Sequence, residues 1–293
     1  MSRSKYQRER ERLSRELEEK LQRKINGIQA RVYRQVLQGL TSLVNDQNGN
    51  LLFNVRNIQT ANRIALMVET EMENEGRVLL KWVVRNLLKL FRLNTRYFAS
   101  LDPRSEQREQ QLLFRVMLRY GYNTKTKQVT SSGVLSALSQ SQAISSRVSE
   151  SINQGLAAKM TMSTFKNNFR QAFVNPQGLG MVQSQFNRFA QDLFQDFDRE
   201  TQKQYADDLK LNFAIYSGTE IKTTRDFCEK RVNNIYTKEE INSWNAQNWA
   251  GKRQNVPVEV QCGGYNCRHH FNYISDELAQ RLASRRGGIN NYN

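Results

Sequence analysis

Apolar residues recur at Leu13, Leu17, Leu21, Ile25, Ile28, Val32, Val36, Leu40 and Leu43, every step being three or four. That is the period of one helical face, and it predicts a helix from about Gln7 to Leu43. Its first turns are rich in Glu and Arg, with opposite charges four apart at Glu11–Arg15 and Glu16–Lys20. Such pairs suit a solvated helix that packs one stripe on a neighbour; a partner-binding or coiled-coil helix carries the same pattern. Asn45–Asn50 has turn composition, and a short extended piece, Leu51–Val55, follows it. Asn57 is the expected N-cap of a second helix directed towards Asn74.

Arg77–Phe98 predicts another helix, with Leu79, Leu80, Val83, Leu87, Leu90 and Phe91 covering much of its surface. Asp102-Pro103 breaks the pattern. Glu106–Tyr120 is helical by period, Gly121–Gly133 a loop, and Val134–Ala157 and Thr161–Val174 further helices, the last with Phe165, Phe169 and Phe173 as anchors. After Asn175–Gly178, Val182–Leu209 is expected as one long helix with an aromatic stripe at Phe186, Phe189, Phe194, Phe197 and Tyr205. Asn212–Ser217 and Val256–Val260 are the expected strands. The fold class is therefore mainly α, with long N-terminal helices and a small C-terminal α+β module. Three consecutive regions are expected: a basic helical region 1–128, a helical region 129–210, and a Cys/His-containing α+β module 211–293.

Charge changes this picture. The net charge is +16 over 293 residues, and residues 1–128 hold 25 Lys/Arg against 13 Asp/Glu, which is +12 of that total. A chain so basic favours polyanions, nucleic acid above all. Arg77, Lys81, Arg85, Lys89, Arg92 and Arg96 recur at steps of four, four, four, three and four, so they form one row on one helical face. A row of this kind suits a DNA backbone, an anionic membrane surface or an acidic partner; it is equally the polar face of an ordinary amphipathic helix whose cations happen to cluster. No apolar segment follows the charged N-terminus, so no signal peptide is expected, and no apolar run is long enough for a membrane span.

All three cysteines and both histidines fall near the C-terminus, at Cys228, Cys262, Cys267, His269 and His270. Cys228, Cys262, Cys267 and His269 (or His270) supply the count and softness of a structural zinc site, although Cys228 has no nearby partner in sequence. The plain alternative buries Cys228 as a small apolar residue beside Phe227, and a Cys262–Cys267 disulfide is a third arrangement. A Cys–His catalytic pair from Cys228 or Cys267 with His269 has only the residue types in its favour. Asp207-Asp208 and Glu239-Glu240 suit solvated or helix-capping carboxylates rather than an acid–base pair. No phosphate-binding loop is present.

The order of short motifs from Val182 to Ile274 resembles the Mu F-like family of tailed-phage minor head proteins. The motifs are D-x-x-x-x-F-D-R at Asp192–Arg199, F-A-I-Y-S-G-T at Phe213–Thr219, T-T-R-D-F-C at Thr223–Cys228, K-E-E-I-N-S-W at Lys238–Trp244, W-A-G-K at Trp249–Lys252 and G-G-Y-N-C-R-H at Gly263–His269. Family members commonly close with C-R-C; this chain closes with C-R-H-H. The resemblance covers about a third of the chain. It implies a non-enzymatic virion protein, assembled in the host cytoplasm, that joins the portal vertex or capsid interior and touches portal protein, major capsid protein and packaged double-stranded DNA. Two other classes remain open from sequence. One is a zinc-dependent nucleic-acid-binding protein unconnected with virions. The other is a nuclease or toxin built on the C-terminal module.

Overall fold

The apolar stripe at the N-terminus becomes helix α1, Lys5–Leu40, in a computed structural model that describes residues 5–139, 142–175 and 177–286. Leu17, Leu21, Ile25, Ile28, Val32, Val36 and Leu40 on that stripe are buried, and Leu13 is half-buried. The helix ends at Leu40, and in the next turn the Asp46 carboxylate accepts the N–H groups of Asn48 and Asn50 at 2.9 and 2.8 Å. Leu51 makes one isolated bridge with Asn45 in place of the extended piece expected there.

Helix α2 runs unbroken over Val55–Ala99 and so joins two helices that the pattern had kept apart. Its cap is Asn54, whose Oδ1 accepts the Asn57 N–H at 2.8 Å. Asn57, the expected cap, instead donates its amide to the Val44 and Leu52 carbonyls and staples the preceding loop. Gly76 lets the helix continue past the 3-10 turn Val134–Ser139, since a Cβ there would lie 2.5 Å from the Leu138 carbonyl oxygen.

The remaining elements are α3 (Arg104–Gln107), α4 (Glu109–Arg119), a two-residue ribbon of β1 (Tyr122–Asn123) and β2 (Gln128–Val129), α5 (Gln142–Ala157), α6 (Met162–Val174), α7 (Met181–Ala190), α8 (Leu193–Asp208), β3 (Phe213–Ser217), α9 (Asp226–Glu229), β4 (Ile235–Thr237), α10 (Lys238–Ser243), α11 (Val258–Gln261), β5 (His270–Ile274) and α12 (Asp276–Arg286). The expected Val182–Leu209 helix is two helices. Asp192, with φ +62°, turns the chain between them, and an L residue in that conformation cannot continue a helix. The side chain of Phe189 lies outside the described residues. Val256–Val260 is not a strand: Pro257 opens a helical turn whose Gln261 N–H returns to the Pro257 carbonyl at 3.0 Å.

Nor do the three consecutive regions describe the partition. One compact unit comprises Met1–Glu18, Arg85–Gln128 and Gln191–Asn293; the other comprises Glu19–Val84 and Val129–Ala190. The reason is length. α1 and α2 each give one stretch of helix to each unit.

The second unit is helical apart from its loops. Phe165, Phe169 and Phe173 of α6 are buried, and Tyr33 stacks on Phe169 at 6.2 Å. The first unit holds the α+β module. β3 is the middle of an antiparallel sheet ordered β4-β3-β5, with Tyr216 opposite Phe271 and Ser217 opposite His270. Ile235, Ile274 and Ala279 form a small core on it with Phe213 and Leu282. α8 packs on α4, and its Tyr205 meets α2, stacking on Phe98 at 4.8 Å and meeting Thr95 Oγ1 at 2.8 Å.

Candidate polyanion face and Cys/His cluster

Because α2 is continuous, the six cations keep the register that their spacing predicts. Arg85, Lys89, Arg92 and Arg96 belong to the first unit and Arg77 and Lys81 to the second, and all six are exposed. Leu79, Val83, Leu87, Leu90 and Phe91 are buried on the opposite side. Arg77 donates to Asn74 Oδ1. Among the described residues no carboxylate pairs with any of the six. From Arg85 to Arg96 the row is about 16 Å long, at 1.5 Å rise per residue. Four unpaired charges held that close repel one another and attract a polyanion.

The C-terminal module brings Cys228, Cys267 and His269 together and leaves Cys262 out. The ligand atoms of those three lie within 4.8 Å of one another, all three residues being buried. Cys228 is on α9, Cys267 in the loop before β5, and His269 one residue ahead of β5. Cys228 Sγ is 3.7 Å from Cys267 Sγ, and Cys267 Sγ is 3.7 Å from His269 Nδ1. Tyr216 of β3 stacks face to face on the His269 ring, 5.4 Å between centroids, with its hydroxyl 3.2 Å from Cys228 Sγ. Two glycines are needed for this approach. A Cβ on Gly263 would lie 2.3 Å from Cys228 Sγ, and one on Gly218 would lie 2.4 Å from His269 Cδ2. Gly263 also donates its N–H to Cys267 Sγ at 3.1 Å.

His270, the alternative ligand, faces elsewhere: its Nε2 lies 2.6 Å from Glu11 Oε1 in a buried pair. Burial holds its imidazole below the usual histidine range, against the pull of Glu11. The Cys267 thiol is held low by its contact with Cys228, then by His269 and by Arg199, against burial; Cys228 is pushed up by the same contact and by burial, and burial pushes the Cys262 thiol up.

Arg199 was visible in sequence only as the end of a motif. It is 3% exposed and spends its guanidinium on the loop that carries the cluster. Nε donates to the His269 carbonyl at 3.1 Å, Nη1 to that of Val260 at 3.2 Å, and Nη2 to that of Cys267. Asp196, 3.5 Å away, balances its charge and pairs also with Arg253. Arg10 is the second buried cation, bonded to Asn94 and Asn272 at 3.1 Å and paired with Asp198 at 3.2 Å. The Glu/Arg-rich opening of α1 is therefore not wholly solvated, since Gln7, Arg10, Glu11 and Ser14 are all buried. The helical period does separate Arg10 from its exposed neighbours Arg8 and Arg12, since Gln7, Arg10, Ser14, Leu17 and Leu21 follow one another at steps of three and four on the buried face.

The carboxylate pairs have structural partners. Asp207 pairs with Lys203 at 2.6 Å and with Lys238, and Asp208 pairs with Arg108 at 2.6 Å. Glu240 completes a capping box with Thr237, accepting its N–H at 2.7 Å.

Comparison with protein-family models, curated proteins and solved structures finds no match to this chain. No helix among the described residues is long and apolar enough to cross a membrane.

Proposed function

We propose that this chain is a non-enzymatic virion protein of the minor-head type that binds packaged duplex DNA through its α2 cations. The observation that carries the reading is the exposed row of cations with no carboxylate partner among the described residues. Lys and Arg that neutralise phosphates release condensed counterions, so the contact is strong at low salt and indifferent to base sequence. The virion setting rests on the ordered C-terminal motifs, and it implies docking on the portal or major capsid protein. Burial of Cys228, Cys267 and His269, each 3% exposed or less, favours a structural role for the cluster over catalysis.

The Cys/His cluster favours one second reading, a zinc-dependent nucleic-acid-binding protein outside virions. Affinity capture of the tagged full chain, from cells expressing the surrounding phage genes, separates the two. Recovery of portal and major capsid proteins supports the minor-head reading. Recovery of nucleic acid with no virion protein sinks it and moves the second reading to first place.

A further inference from the structure

We propose that Cys228 Sγ, Cys267 Sγ and His269 Nδ1 bind one zinc ion, which ties α9 to the edge of β5. This site is independent of the virion reading. Zinc prefers a tetrahedron of sulfur and nitrogen donors. With Zn–S bonds of about 2.3 Å, the S···S edge of that tetrahedron is about 3.8 Å, and with Zn–N of about 2.0 Å the S···N edge is about 3.5 Å. The observed separations are 3.7 Å for both pairs. Two of the three edges thus already have tetrahedral length, and all three donors lie within 4.8 Å of one another, so small side-chain shifts complete the sphere. Tyr216 Oη lies 3.2 Å from Cys228 Sγ, and a water completes the fourth position.

The surroundings match what a zinc site needs beyond its ligands. Two thiolates and a neutral imidazole cancel the charge of Zn²⁺, so the occupied site adds no net charge to a buried place. The Gly263 N–H points at Cys267 Sγ, the Tyr216 ring fixes the plane of His269, and Arg199 holds the Cys267 and His269 carbonyls. Such outer contacts orient ligands and tune a metal. His269 Nε2 is buried without a protein partner among the described residues, and His269 lines a polar cavity of about 20 Å³ together with Glu11, Asp198, Gly218 and Arg268. That volume takes one water, to which the N–H of a metal-bound imidazole can donate. Cys228 and Cys267 are 39 positions apart, so the ion closes a long loop and its binding energy stabilises the fold.

The test uses the full chain purified without chelator after growth with added zinc. Elemental analysis is expected to give one zinc per chain. The cobalt-substituted protein is expected to show thiolate charge-transfer absorption and the d–d bands of a tetrahedral site. Cys262→Ala is expected to keep the metal, and Cys228→Ser and Cys267→Ser to lose it. Because either serine variant is open to misfolding, the wild-type metal content and Cys262→Ala decide the matter by themselves. A folded, metal-free wild type with three titratable thiols overturns the proposal in favour of hydrogen-bonded thiols. A metal-free wild type with one titratable thiol under denaturing conditions overturns it in favour of a disulfide. Loss of zinc in folded Cys262→Ala overturns the ligand assignment.

Discussion

Arg85, Lys89, Arg92 and Arg96 on α2 and Arg10 and Arg199 in the interior of the same unit carry the same charge and do opposite work. The four on α2 are exposed, with no carboxylate partner among the described residues. The two interior arginines are held by the fold, Arg199 by three backbone carbonyls and Asp196, Arg10 by Asn94, Asn272 and the Asp198 carboxylate. An exposed cation adds little to stability and keeps its field for a partner. A buried one is spent on the fold, and removing it strands the groups that it satisfied. Charge count alone therefore overstates how much of this basic chain is free to bind.

The largest effect is expected at Arg199. Arg199→Met should cost about 3–5 kcal/mol, the usual loss when one member of a buried ion pair is removed. Urea denaturation followed by circular dichroism measures it, and a cost under about 1 kcal/mol would mean that the guanidinium is dispensable to the loop.

The next effect is on pH dependence and concerns an acid in the same unit. Glu18 accepts the N–H groups of Phe194 and Gln195 at the start of α8, at 2.6 and 3.3 Å. Burial, with Asp192 and Asp196 nearby, pushes its carboxyl up from 4.5 to about 8, although the two N–H donors favour the charged form. The sign follows from proton uptake. Between pH 4.5 and about 8 the folded chain holds a proton that the unfolded chain has released, so the Glu18 contribution to stability falls as pH rises through that window. Glu18→Gln keeps an acceptor without the titration, and melting temperatures across the window should decline less steeply with pH than in wild type. Parallel profiles would contradict this account of Glu18.

Smaller still is the α10 cap. Thr237→Ala removes one half of the capping box and should cost about 1 kcal/mol, measured by the same urea denaturation. Last comes the α2 face itself. Replacing Arg85, Lys89, Arg92 and Arg96 together by Gln should change unfolding free energy by no more than about 0.5 kcal/mol for each position, because surface positions without partners contribute little. A large loss there would place these cations with the interior ones.

How far the sequence reaches differs in the same way. The α1 stripe and the α2 row were legible because helical periodicity is a local property, and both faces appear as spaced. Joining two expected helices into α2 needed a tertiary fact, the carbonyl of Leu138 passing Gly76. β5 was missed because all five of its residues are buried, so it lacks the alternation that marks a half-buried strand. Arg10 was missed because it is charged, although it continues the α1 stripe through Ser14 and Leu17 and Arg8 and Arg12 do not; its partners Asp198 and Asn272 are far away in the chain. Residue types pointed to the Cys/His cluster, but only the sheet and α9 separate Cys262 and His270 from Cys228, Cys267 and His269.

The decisive measurement is the salt dependence of duplex-DNA binding by the full chain, wild type beside the four-fold Gln variant, on two unrelated sequences. Phosphate neutralisation by the α2 row predicts equal affinity for both sequences and a steep fall of log K with log salt. It also predicts that the variant's slope is shallower by about 3–4, near 0.9 for each phosphate left without its cation. Binding that ignores salt, that prefers one sequence, or that is unchanged in the variant would contradict it.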